Sequence, residues 1–170
     1  MMQCIRYPEI PLNIREDLNS HIQNEFGHIP FVVNMKWSSP DWTLFIKENN
    51  EVSTFLNIVL REVNFDNGKV HLAGINNVIT PKKFRGKGYA SLIMKEAKNF
   101  IFNQLNLDHA LLLCADSVVP FYKKLGWYQV DSKVYFEQPS GVKLYDSNTM
   151  LLSCNSPINP RRIDLNGMPW

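Results

Sequence analysis

Lys82-Lys83-Phe84-Arg85-Gly86-Lys87-Gly88-Tyr89-Ala90-Ser91 is the stretch around which the chain is organised. An apolar strand-like run, Val70 to Thr80, leads into it. An amphipathic run leads out, with Ile93, Ala97, Phe100 and Ile101 at i, i+4, i+7 and i+8 on one helical face. Two glycines at a strand-to-helix junction let the backbone turn tightly and leave its N–H groups unshielded. Those groups, at the positive end of the helix dipole, form a phosphate site. Lys82, Lys83, Arg85 and Lys87 crowd the same loop. A polyphosphate is the expected ligand.

The loop is not a P-loop, because G-x-x-x-x-G-K-[ST] is absent. Gly86, Gly88 and Ser91 nearly meet the dinucleotide pattern G-x-G-x-x-G. That pattern also requires an acid at the end of the next strand, and Asp108 precedes the strand Ala110 to Cys114 instead. Taken as Arg-x-x-Gly-x-Ala, with Arg85, Gly88 and Ala90, the loop resembles the pyrophosphate loop of the GNAT superfamily of N-acetyltransferases. A second landmark lies downstream. Phe121-Tyr122-Lys123-Lys124-Leu125-Gly126-Trp127 is similar to the F-Y-x-x-x-G-F/W signature that follows the fifth strand of that superfamily. On its own, Tyr122 reads equally as a buried aromatic of an amphipathic helix. The two landmarks in register favour the family, over a resemblance running from about Pro40 to Ser153.

The remaining chain supports a mixed pattern. Pro11 and Leu12 introduce a helix to Phe26, with Ile14, Leu18, Ile22 and Phe26 four apart and Gly27 at its end. A weakly alternating first strand precedes it, and His28 to Pro40 is expected to be loop with a short helical turn. Thr43 to Lys47 and Val52 to Val63 flank the turn Glu48-Asn49-Asn50. Asp66-Asn67-Gly68 signals a hairpin back into Val70 to Thr80. Ala110 to Ala115 is an unbroken apolar run, as suits a strand buried on both faces. A short helix, Val118 to Leu125, is closed by Gly126, and Thr149 to Ser153 forms a late strand.

Composition sets the bounds. The 170 residues suffice for one domain, 1–170, with a true core, and 45% hydrophobic with 20% charged residues is ordinary for a globular protein. A formal charge of +2 gives no reason to expect nucleic acid or an acidic membrane as partner. No run reaches a membrane span and the N-terminus carries no basic-then-apolar leader. Cys4, Cys114 and Cys154 are odd in number and widely spaced, which suits a reduced, cytoplasmic setting with Cys114 a buried strand residue.

The resemblance implies an α/β (α+β) GNAT fold: a mixed, mostly antiparallel twisted sheet of about six or seven strands, flanked by helices and splayed at the acyl-CoA site. It implies acetyl-CoA as co-substrate and no metal. The donor would be bound by Val78, Ile79, Thr80, Arg85, Gly86, Lys87, Gly88, Tyr89, Ala90 and Ser91. Tyr122 would act as general acid on the departing thiolate. Trp37 and Trp42 would border the acceptor, with a packing role equally open to each. Asn76 and Asn77 read either as a β-bulge satisfying local backbone or as part of the site, and their place just upstream of the glycine loop favours the site.

A narrower resemblance is to aminoglycoside 2'-N-acetyltransferases, carried by Asp41-Trp42, Gly126-Trp127, the late strand and a tail ending Gly167-Met168-Pro169-Trp170. It implies that the tail, 155–170, folds back near the acceptor and that the Trp170 carboxylate meets the amine, on the same side of the sheet as Tyr122. Two positions depart from that group: Asn76 stands where it has a basic carboxylate, and Met168 where it has an acid. Asp41, Asp164 and the Trp170 carboxylate are then the remaining acidic candidates. The expected activity is acetyl transfer to a primary amine of a small molecule, an aminoglycoside or other polyamine-like compound, by a monomer or homodimer. Two alternatives stand beside it: transfer to peptide or protein amines, and a protein that binds acetyl-CoA without turnover.

Overall fold

A computed structural model describes residues 2–66 and 68–170. In chain order the elements are β1 (Met2–Arg6), α1 (Leu12–Phe26), α2 (Pro30–Asn34), β2 (Trp42–Glu48), β3 (Glu51–Phe65), β4 (Gly68–Ile79), α3 (Tyr89–Asn99), β5 (His109–Cys114) and α4 (Val119–Lys124). Then follow β6 (Tyr128–Val130), β7 (Lys133–Gln138), β8 (Gly141–Tyr145), β9 (Asn148–Ser153) and β10 (Arg162–Asp164). The expected turn at Asn49-Asn50 forms, both residues taking positive φ. The hairpin expected at Asp66-Asn67-Gly68 falls partly on Asn67, which lies outside the described residues.

All ten strands join one sheet, in the order β6-β9-β5-β4-β3-β10-β7-β8, with β1 and β2 carried on the other part of β3. The count exceeds the six or seven expected. β7, β8 and β10 lie in the polar stretch after Trp127, where side-chain alternation is weak, and only pairing makes strands of them. The pairs β4–β5 and β10–β7 are parallel and the others antiparallel.

β3 is the spine. One edge follows β4, while the other pairs with β2 up to Ile58 and with β10 at Asn64 and Phe65. The strand stretch between, near Leu60, would leave an orphan N–H, a costly thing to bury. Asp41 supplies the missing acceptor, its carboxylate taking a hydrogen bond from the Leu60 N–H at 2.7 Å.

Strand alternation divides the core into two faces. Ala73 and Ile75 of β4 pack under α3 with Ile93, Met94, Ala97, Phe100 and Ile101, the helical face anticipated from spacing. After Asn99 this helix widens by a turn, closed by Leu105 N–H to Phe100 O at 3.0 Å, which keeps Phe100 and Ile101 turned inward. Leu72 of β4 faces the other way, with Val59, Leu111, Phe136, Ile163 and Trp170. α1 covers a third, smaller cluster through Leu18, against Phe45, Phe55 and Ile79.

Candidate active site

β4 and β5 pair at Ala73–Ala110 and Gly74–Leu111. Beyond that point they part, so that Ile75 to Ile79 have β3 on one edge and no strand on the other. One cause lies in β4 itself. Between Asn57–Asn76 and Phe55–Ile79 its register slips by one residue, and Asn77 takes φ 52°. The Asn76-Asn77 pair is thus a bulge, one of the two roles foreseen for it, and it bends β4 away from its neighbour.

The loop from Arg85 to Ser91 follows the end of β4 at this gap. Gly88 caps α3 with φ 79°, no side chain caps the helix, and the first intrahelical bond runs from Leu92 N–H to Gly88 O at 3.0 Å. The N–H groups ahead of Leu92 have no intrahelical partner. A cleft of about 210 Å³ lies against them, lined by Thr80, Arg85, Gly86, Gly88, Tyr89, Ala90, Ser91 and, from α4, Phe121. Three of the loop's cations are held by carboxylates: Arg85 by Glu25 at 2.7 Å, Lys87 by Glu48 at 3.0 Å, and Lys83 by Glu51. All are surface pairs, weak enough for an anionic ligand to exchange.

Tyr122 packs in the core on the α3 face, 8% exposed and edge-on to Trp127 at 6.2 Å. Burial, with Cys114 beside it, lifts its hydroxyl well above the ordinary phenol value. It stays protonated and is able to donate a hydrogen bond. Burial likewise pushes the Cys114 thiol up to about 11, so this residue is no thiolate nucleophile.

On the opposite face the gap opens into a cavity of about 330 Å³. Asn57, Asn76 and Asn77 line it from the sheet, Leu113 from β5, Tyr145 from β8, Ile22 and Phe26 from α1, and Trp37 and Trp170 from the segments flanking the sheet. Trp37 donates its indole N–H to Val32 O at 2.8 Å, which orients the ring. The tail is clamped here by Ser38 N–H to Pro169 O and by Arg61 to Met168 O, at 2.8 and 2.6 Å. Asn76 Oδ1 and Trp170 Nε1 are both buried without a hydrogen-bond partner.

Several expected residues come together and others do not. Trp37, Asn76 and Trp170 share the cavity. Trp42 lies on the α3 face, edge-on to Phe100 at 5.2 Å, and Asp41 is consumed by the Leu60 N–H. Asp164 accepts from Asn166 N–H. Trp170 does not share a face with Tyr122 as anticipated. The tail runs along the β10 side of β3, which delivers the ring to the face of Leu72, whereas α4 packs on the face of Ala73. Sequence reasoning missed Asn57 and Tyr145. Asn57 left a trace, a lone amide inside the apolar run Phe55 to Val59, whereas Tyr145 sits on a strand that had no pattern.

A splayed parallel pair followed by a glycine loop and helix is the arrangement that the resemblance implied. The family model for an acetyltransferase (GNAT) domain matches residues 29–130. The chain belongs to the GNAT family. It is 27% identical over 146 residues to a lysine acetyltransferase of Yarrowia lipolytica, covering 74% of this chain and 36% of that protein. The chain thus spans little more than a third of that relative's length. Escherichia coli YhbS in complex with CoA has the same fold, with TM-score 0.63 and 12% identity over 98% of this chain and 89% of that one. A GNAT acetyltransferase from Brucella melitensis in complex with acetyl-CoA gives TM-score 0.60 and 11% identity, covering 96% and 94%.

Proposed function

We propose that this protein transfers the acetyl group of acetyl-CoA directly to the primary amine of a small molecule. The observation that carries this is the β4–β5 gap itself, with a cleft at the loop after β4 and a partly open cavity of about 330 Å³ over Asn76 and Asn77. Pyrophosphate would sit on the N–H groups from Gly86 to Ser91, and the pantetheine arm would run along Val78 to Thr80. The thioester would then face the acceptor cavity from behind the sheet.

A primary amine of pKa near 10 is mostly ammonium at neutral pH and must shed a proton before it attacks. Its nitrogen then bonds to the thioester carbon, backbone N–H near Val78 polarises the carbonyl oxygen, and the C–S bond breaks. The thiolate released has a conjugate pKa of about 8.5. Tyr122 is a much weaker acid than that, so complete proton transfer from it runs uphill. Its role is to donate a hydrogen bond to the sulfur as negative charge grows there. Asn76, an amide, cannot take the amine's proton. That proton, and the second one the nitrogen gives up as it becomes an amide, leave through water, and the thiolate is stable enough to depart unprotonated.

The Yarrowia relative's description supports a second reading, transfer to a lysine of a protein. Thiol release from acetyl-CoA, measured against a panel of small amines and lysine peptides, separates the two. Turnover of small amines supports the first. Turnover confined to peptides supports the second. Acetyl-CoA binding with no turnover of any amine would overturn both.

A further inference from the structure

The acceptor cavity has a chemical character of its own. Among the described residues lining it, no side chain is acidic or basic. Five are aromatic: Tyr7, Phe26, Trp37, Tyr145 and Trp170. Burial raises the Tyr145 hydroxyl to about 12, so it too is neutral at any physiological pH. The polar atoms are neutral amides and hydroxyls. Two of the buried ones, the Asn76 carbonyl oxygen and the Trp170 N–H, lack partners.

We infer that the acceptor is a monoamine carried on an aromatic or branched apolar body, with a neutral hydrogen-bonding group of its own, and not a polyamine, an aminoglycoside or a lysine peptide. The inference rests on the acetyl-transfer reading above and narrows its substrate.

Charge decides it. A single ammonium entering such a cavity meets aromatic faces, which attract it modestly, and it is discharged when the amine reacts. The Trp170 carboxylate could pair with one ammonium at most, and every further one would have to be desolvated with no carboxylate on the lining side chains to receive it. Size agrees. About 330 Å³ is at the lower end of the range for small-molecule sites, and α1 and α2 narrow it through Ile22, Phe26 and Val32, leaving less room than an extended peptide needs. A ligand hydroxyl or amide is the natural partner for a carbonyl oxygen and an N–H that are otherwise unpaired, since leaving such groups unpaired in the interior is costly.

The test compares kcat/KM, with acetyl-CoA saturating, for 2-phenylethylamine and tyramine against spermidine, kanamycin and a lysine-containing hexapeptide. The arylalkylamines should exceed the others by roughly 10²-fold or more, the worth of one uncompensated charge. Asn19→Asp places a carboxylate at the cavity on the exposed part of α1, where folding is not at stake. It should raise the spermidine to phenylethylamine ratio by about tenfold or more. Equal or faster turnover of spermidine, kanamycin or peptide by the unaltered protein overturns the inference while acetyl transfer stands. Calorimetry with acetyl-CoA alone separates the remaining case. Donor binding without arylalkylamine turnover rejects this substrate class, and absence of donor binding rejects the acetyl-transfer reading with it.

Discussion

The indole of Trp170 rests directly on Gly74: a methyl group built on that glycine would stand 2.1 Å from Cε2 and 2.3 Å from Cδ2 of the ring. No carbon atoms approach so closely, so the absence of a side chain at 74 is what allows the tail to seal against β4. The ring is 3% exposed, and Arg61 lies 5.4 Å from its centre.

Gly74→Ala should therefore expel the ring and forfeit its burial. Losing a buried tryptophan side chain typically costs about 3–5 kcal/mol. Chemical denaturation should show Gly74→Ala and Trp170→Ala each destabilising by an amount of that order or somewhat less. The double variant should cost little more than Trp170→Ala alone, since both remove one contact. Full additivity would mean that the ring and the glycine do not depend on each other.

The second prediction concerns Gly88. Its φ of 79° is one that β-branched residues avoid, and a Cβ there would meet nothing within 4 Å in the protein. Gly88→Val should weaken acetyl-CoA binding by roughly 10–100-fold, combining backbone strain of about 1–3 kcal/mol with obstruction of the N–H groups. Calorimetry showing unchanged affinity would remove the loop from the donor site.

How much of this was legible beforehand depends on the range of the signal. The loop around Gly88, the α3 face and the helix bearing Tyr122 are local patterns, and local physics placed them. Asn76-Asn77 was readable as a bulge because two amides interrupt an apolar strand. The faces were harder. Whether Trp170 and Tyr122 share one depends on the parity of β4 and on the path of a tail that pairs with Phe65, nearly a hundred residues away in sequence. Asp41 looked like a ligand because its true partner, the Leu60 N–H, is an orphan only once β2 and β10 are seen to leave that edge uncovered. No short-range pattern encodes that.

Alkaline pH should weaken the fold before acid chemistry matters. Burial lifts the thiols of Cys4 and Cys114 from 9.0 to about 11, and the Tyr145 hydroxyl from 10.0 to about 12. Each group holds its proton more tightly folded than unfolded. The associated stability is complete below pH 9, where both states are protonated, and is lost as pH climbs from about 9 to 12. Denaturation midpoints measured from pH 8 to 11 should fall steadily above 9. Cys114→Ala should flatten that slope, whatever it does to the midpoint at pH 8. A midpoint level across the whole interval would contradict the burial of these groups.

Glu25 and Arg85 make the next case. In the free protein Glu25 occupies the guanidinium that the pyrophosphate would use, so donor binding must first break this pair. The pair is half-exposed and worth at most about 1 kcal/mol. Glu25→Gln should leave stability within about 0.5 kcal/mol and tighten acetyl-CoA binding by up to roughly fivefold. The gain should shrink as salt is added, because surface pairs are screened. Weaker binding in the variant would show that Glu25 serves to orient Arg85 and does not compete for it.

Tyr122 carries the last prediction. Tyr122→Phe retains the ring against Trp127 and removes only the hydroxyl, so packing and acetyl-CoA affinity should hold. If that hydroxyl stabilises the thiolate through a hydrogen bond, its loss falls on kcat, by about 10²-fold, with the KM for the amine little changed. Donation by hydrogen bond differs from full proton transfer in its pH signature. A phenol held far above its ordinary value contributes no falling limb to the profile of kcat up to about pH 10, so the unaltered protein and the variant should have profiles of the same shape there, displaced vertically. The leaving group provides the second criterion. An acyl donor whose thiol is more acidic than that of coenzyme A needs less help, and with such a donor the variant's deficit should narrow. A deficit independent of the leaving thiol would move Tyr122 out of the chemistry and leave it as packing.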